Sequence, residues 1–234
     1  MTTAKTSEHS LIMLMSSLPA PGPLFSEKQT PLSRLRLEAR LKLLDDADRA
    51  VLDAIESALE WRRMGSDMDD AALLKRVAHA YDIAPSETLR RVIDGRMNIR
   101  LCMAALRLRA RGEGPPAVDG AWGYGRWRRM LVRNWRAPSF GLDHIFPWIK
   151  EADQLLAKGE SYALERLILS IVERDLKRHG ALHQFDFEAV VIYVLRWSLV
   201  ERWTRYNAEA ASRRFSQILE DGLNAAEQTL ETAA

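Results

Sequence analysis

FDFEAVVIYVLRWSLVERWTRYN, residues Phe185–Asn207, decides the fold. Two tryptophans, two tyrosines and seven of Val, Ile or Leu crowd a run that also carries Glu188, Arg196, Glu201, Arg202 and Arg205. Read with a helical period, Phe187, Val190, Val191, Val194, Leu195, Ser198 and Leu199 form one broad face, and Tyr193, Trp197 and Trp203 widen it. Glu201 and Arg205 stand four apart in the order that favours a helical ion pair. The uncharged stretch around Val190 ends at Arg196, well short of the roughly 20 apolar residues a membrane span needs. The pattern predicts the central helix of a bundle, from about Phe187 to Arg205, with neighbours on most sides.

The bounds of the chain agree. Its 234 residues, 47% hydrophobic and 28% charged, are globular in composition. Such a chain can bury roughly 70–75% of its unfolded surface. Lys plus Arg number 34 against 32 Asp plus Glu, a net charge of +2. That balance argues against non-specific nucleic-acid binding by the whole chain and leaves room for a local patch. The only cysteine, Cys102, sits in a helical pattern and reads as a packing residue rather than a nucleophile, in a reducing compartment. Leu11–Met15 is shorter than the roughly 7–15 apolar residues of a signal peptide, so a soluble cytoplasmic protein is expected.

Outward from the decisive stretch the chain reads as helices. Met1–Ser10 is polar, and Pro19, Pro21 and Pro23 make residues 1–30 an extended N-terminal segment. Thr30 and Pro31 look like an N-cap and first helical residue, followed by Leu32, Leu35, Leu37, Leu41 and Leu44. Asp45, with Asp48 as a box-like partner, starts a second helix that should end near Gly65. A third is predicted over Asp69–Tyr81 and a long one over Ser86–Ala110. Gly112–Gly120 is the clearest linker. It divides an N-terminal helical lobe, 31–111, from a C-terminal lobe, 122–234. There a helix ending at Gly159 precedes others over Glu160–His179, the Phe187 stretch, and about Ala208–Leu230. No run alternates with period two, so the fold class is all-α: a bundle of about eight helices, in as many as three small lobes.

Chemistry finds little purchase. His179 and His183, with Asp186 and Glu188 nearby, resemble a metal cluster, but Gly180 interrupts the helix that would align the imidazoles, and helix-end histidines complementing the dipole fit better. Gly123 and Gly125 in WGYGRW belong to a turn rather than to a phosphate loop. No catalytic, cofactor-binding or metal residue is assigned.

The segment Arg126–Arg136 is different: Arg126, Arg128, Arg129, Arg133 and Arg136 occur with no acid among them. At helical spacing Trp127, Leu131 and Trp135 share one stripe, and Arg126, Arg129, Arg133 and Arg136 another. A solvated basic face, a docking face for an acidic protein, and a nucleic-acid site that uses phosphate contacts and stacking all remain open here.

Three segments together resemble a known family. They are Phe185–Leu219, VIDGRMNIRLCMAALRLRARGEG with Asp94, Asn98, Ile99, Leu106, Arg107, Arg109 and Gly112, and the N-terminal LIMLMSSLPAPGPLF with PLSRLRLEARLKLL. They are similar to the funnel-shaped central-stalk component of V/A-type ATPases, in a short bacterial form encoded with V-type ATPase genes. This chain is shorter than an ordinary member of that family, and Trp197 and Trp203 replace smaller or charged residues. The resemblance implies a non-enzymatic rotor socket without cofactor, which couples the rotary shaft subunits to the membrane rotor ring. It would be cytoplasmic, held at the inner membrane through the complex, with neither a membrane span nor nucleic acid. Arg126, Arg129, Arg133, Arg136, Arg196 and Arg205 are the expected partner-binding residues. A helical adaptor or regulator unrelated to ATPases is the alternative.

Overall fold

The computed structural model describes residues 6–59, 70–117 and 122–208; these are 70% helical and contain no strand. The all-α expectation holds, and the decisive stretch is a helix over 187–208, designated α9. Every residue from Ala189 to Leu195 is buried, as are Trp197, Leu199, Val200 and Trp203, so neighbours surround this helix as its composition requires.

The first neighbour is the N-terminal segment, and here the expected extended stretch 1–30 is corrected. Glu8–Ser17 (α1) is helical, capped by Ser7, whose side chain accepts from the Ser10 N–H. It buries Leu11 and Leu14, a spacing of three, and stops ahead of Pro19. From Leu18 to Ser33 the chain runs without helix along α9. The Tyr193 hydroxyl donates to the Pro19 carbonyl at 3.1 Å, and the buried Trp197 indole N–H donates to the Leu32 carbonyl at 2.9 Å. Phe25 meets Trp203 edge-to-face at 5.0 Å. Arg34–Leu41 (α2) starts later than expected, because Ser33 rather than Thr30 is its N-cap. The helix buries Leu37 and Leu41 and leaves Leu35 81% exposed, so the leucine run does not lie on one face.

Asp45 caps Asp46–Leu59 (α3) as expected, accepting from the Asp48 N–H at 2.8 Å. The return half of the box runs through Thr6. Its hydroxyl accepts from the Asp45 N–H at 3.0 Å, while its own N–H donates to the Asp48 carboxylate at 3.3 Å. The expected end of this helix near Gly65 lies outside the described residues, as does the C-terminal helix expected over Ala208–Leu230 beyond residue 208.

Asp70–Ile83 (α4) packs on α3 and leads to Glu87–Ala110 (α5), where the Ser86 side chain caps the Leu89 N–H. Beyond a non-helical stretch from Gly112, chain 122–127 turns into Arg128–Arg133 (α6), then a 3₁₀ turn at Pro138–Gly141, Trp148–Ala157 (α7) and Ser161–Gly180 (α8). Gly159 supplies the positive φ of +70° that ends α7 where the sequence placed the stop.

α5 packs against both α7 and α8, across the expected boundary between lobes. One hydrophobic core runs continuously from Leu11 to Trp203, so residues assigned to both lobes share it. Between α8 and α9 the charges are paired. Glu165 receives two hydrogen bonds from Arg202, and Glu173 lies 3.8 Å from Arg196. Arg96 of α5 is buried there too. Desolvation, with Arg100 and Arg202 nearby, pushes its guanidinium down to about 9, so it is still charged at neutral pH.

No helix among the described residues is long and apolar enough to cross a membrane.

Candidate functional site

Arg126–Arg136 folds around a short helix rather than as one. Gly125, at φ +105°, and Pro138 bound the available length, and only Arg128–Arg133 is helical. Leu131 and Trp135 are buried, and Trp127 is half-buried with its ring 5.9 Å from Phe146, so the apolar stripe is real. Arg126, Arg129, Arg133 and Arg136 are all exposed and make no ion pair among the described residues. Their common exposure therefore comes from a turn–helix–turn, with Arg126 and Arg136 in the flanking turns.

Two features hold this unit on the body. Arg109 of α5 donates to the Trp135 carbonyl at 3.3 Å, the Ala137 carbonyl at 3.1 Å and the Asp153 carboxylate at 3.0 Å. Its guanidinium also covers the Phe140 ring at 4.2 Å. Ser139 and Phe140 have φ of 50° and 54°, a conformation that non-glycine residues adopt only when the surroundings enforce it. Gly123, at φ +62°, lets the preceding turn lie on α5, since a Cβ there would stand 2.2 Å from the Leu101 side chain. The two glycines of WGYGRW thus serve close approach in a turn, as expected. The clamping role of Arg109 was not legible: two arginines of one type, Arg107 and Arg109, differ only in which face of α5 meets the turn.

The other expected partner residues are placed differently. Arg196 faces Glu173 in the bundle, and Arg205 is half-buried near the end of α9. Neither joins the exposed arginines of the α6 unit.

Beside that unit a groove of about 880 Å³ opens between α5 and α8, bounded by chain 124–127 and chain 145–148. Trp127, Phe146 and Trp148 form its apolar wall, the last two with ring centres 6.1 Å apart. Arg91 pairs with Glu87 at 3.1 Å and Arg178 with Asp175 at 2.7 Å along its edges. Burial raises the Asp94 carboxyl above the usual carboxylate range against the pull of Arg126. Burial likewise raises the Tyr124 phenol and lowers the His179 imidazole. Perturbed groups gathered in one cleft are a physical sign of a site. The sequence did not reveal the groove because its residues come from four separate segments.

The histidine cluster resolves into a clasp. His183 Nδ1 lies 2.6 Å from Asp186 and Nε2 lies 3.2 Å from the Thr88 hydroxyl, so both ring nitrogens are engaged. Asp186 also accepts from the Ala189 N–H at 2.9 Å, capping α9. Ligand atoms of His183, Asp186 and Glu188 lie within 4.8 Å of one another. Binding a metal there would break the tie to Thr88 or the cap. His179 is in the last turn of α8, as a dipole-complementing histidine should be. Cys102 is buried, and burial pushes its thiol up to about 12, which leaves it protonated and unreactive.

Comparison with family models, with curated proteins and with solved structures found no match.

Proposed function

We propose that this chain is a non-enzymatic coupling component of the central stalk of a V/A-type ATPase, joining the rotary shaft to the membrane rotor ring on the cytoplasmic side. The reading starts from the resemblance of three sequence segments. The observation that carries it is the exposed set Arg126, Arg129, Arg133 and Arg136, which make no ion pair among the described residues and are held on a helical body by Arg109. A part that transmits torque needs a stiff body and a surface whose charge sets register with its partner. The continuous core gives the first and the α6 unit the second.

The test is charge reversal. Arg129→Glu with Arg133→Glu leaves folding intact, because exposed charges contribute only about 0–1 kcal/mol each. The variant should co-elute with purified shaft and ring subunits less than the wild type does, most clearly at low salt, where steering is strongest. Undiminished co-elution would remove the α6 unit from the interface. Wild-type chain that associates with neither shaft nor ring would favour the helical adaptor unrelated to ATPases.

A further inference from the structure

We propose that the groove between α5 and α8 is a docking site for an extended acidic peptide segment that carries a bulky apolar side chain. The assignment goes beyond the rotor reading and holds whichever protein supplies the segment. Three observations support it.

The first is the wall. Trp127, Phe146 and Trp148 are half-buried around the groove, and Ile145 beside them is 46% exposed. Large apolar side chains that are packed from behind and open in front give an incoming apolar residue a rigid seat.

The second is charge. Arg91 and Arg178 have carboxylate partners, but Arg126 and Arg174 are exposed and make no ion pair among the described residues. They come from different elements, the turn before α6 and α8, so together they present two anchoring points to an anionic chain. Glu87, Asp94 and Asp175 also line the groove. A continuous phosphate backbone would run over these carboxylates. A peptide can set its few acids at Arg126 and Arg174 and turn apolar or neutral residues toward the rest.

The third is shape. A volume of about 880 Å³ lies within the roughly 300–1,000 Å³ range of ligand sites, and the groove is open to solvent rather than enclosed. Gly95 keeps its floor clear, since a Cβ there would stand 2.5 Å from the Asp175 carboxylate.

The test begins by panning a phage-displayed random dodecapeptide library against the folded full chain. The best enriched peptide, labelled with fluorescein, is then titrated by anisotropy. Enriched peptides should combine acidic residues with an aromatic or large aliphatic one. Affinity should fall at least tenfold in Arg126→Glu with Arg174→Glu, and equally in Gly95→Leu, which fills the floor without removing charge and favours the helix. Arg36→Glu, at an exposed arginine on α2, should leave affinity unchanged. Circular dichroism melts establish that each variant is folded. No enrichment, or a peptide whose binding ignores the groove variants, would overturn the proposal. So would an oligodeoxythymidine that displaces the peptide and shows the same dependence on Arg126 and Arg174, because the groove would then be a general polyanion site. Loss of rotor binding without loss of peptide binding would separate this claim from the stalk reading.

Discussion

Arg109 makes contacts that no substitute reproduces. Its planar fork reaches two carbonyls and a carboxylate while lying on Phe140, and the turn it holds contains two residues in left-handed backbone. Arg109→Ala leaves those carbonyls without a donor and the strained turn without its clamp. A loss of roughly 2–4 kcal/mol is expected, from hydrogen bonds to a charged group worth about 1.5–3 kcal/mol. Urea unfolding with an unchanged m-value would measure it; a loss below about 1 kcal/mol would show that the turn holds itself. His179 offers a pH-dependent counterpart. Burial lowers its pKa; Asp175 opposes this, while Arg178, Arg91 and His183 add to it. The unfolded chain, titrating near 6.5, then binds the proton first. The contribution is present above about pH 6.5, is lost as pH falls from there, and levels off below the folded value. Melting temperatures at pH 7.5 and 5.5 should therefore differ more for the wild type than for His179→Gln. Equal differences would mean that His179 is not desolvated.

Among elements, α9 bears the most. Its buried side chains meet α8 through paired charges and the N-terminal segment through Tyr193, Trp197 and Trp203. Trp197→Ala removes a buried aromatic and orphans the Leu32 carbonyl, at a cost of about 3–5 kcal/mol. Val194→Asp places an unpaired charge at a fully buried position and costs several kcal/mol more. Thermal melts of both variants should fall far below wild type; wild-type melting in both would show that α9 is not a core helix. This helix was legible because its apolar residues exceed any single face and its period is unbroken. The Asp45 and Ser86 caps were legible from local chemistry. The N-terminal segment was misread for a physical reason: prolines report where helix cannot form, and Glu8–Ser17 ends ahead of them. In the arginine segment, spacing identified the faces correctly, but Gly125 and Pro138 set the helix length, which periodicity alone does not reveal.

At the scale of the molecule, a continuous core from Leu11 to Trp203 makes a body in which displacement at one end is carried to the other by packed helices. On that body the α6 unit gathers four exposed arginines, and the aromatic groove opens beside it. These are properties of a surface-acting protein, and the stalk reading names the surface on which it acts. The most direct measurement is biolayer interferometry of immobilised wild-type chain against the reconstituted shaft–ring assembly, with the isolated catalytic head as control. Saturable binding to the shaft–ring assembly, weakened by salt and absent for the head, is the expected result. No binding to the assembly at any salt concentration would contradict the central claim.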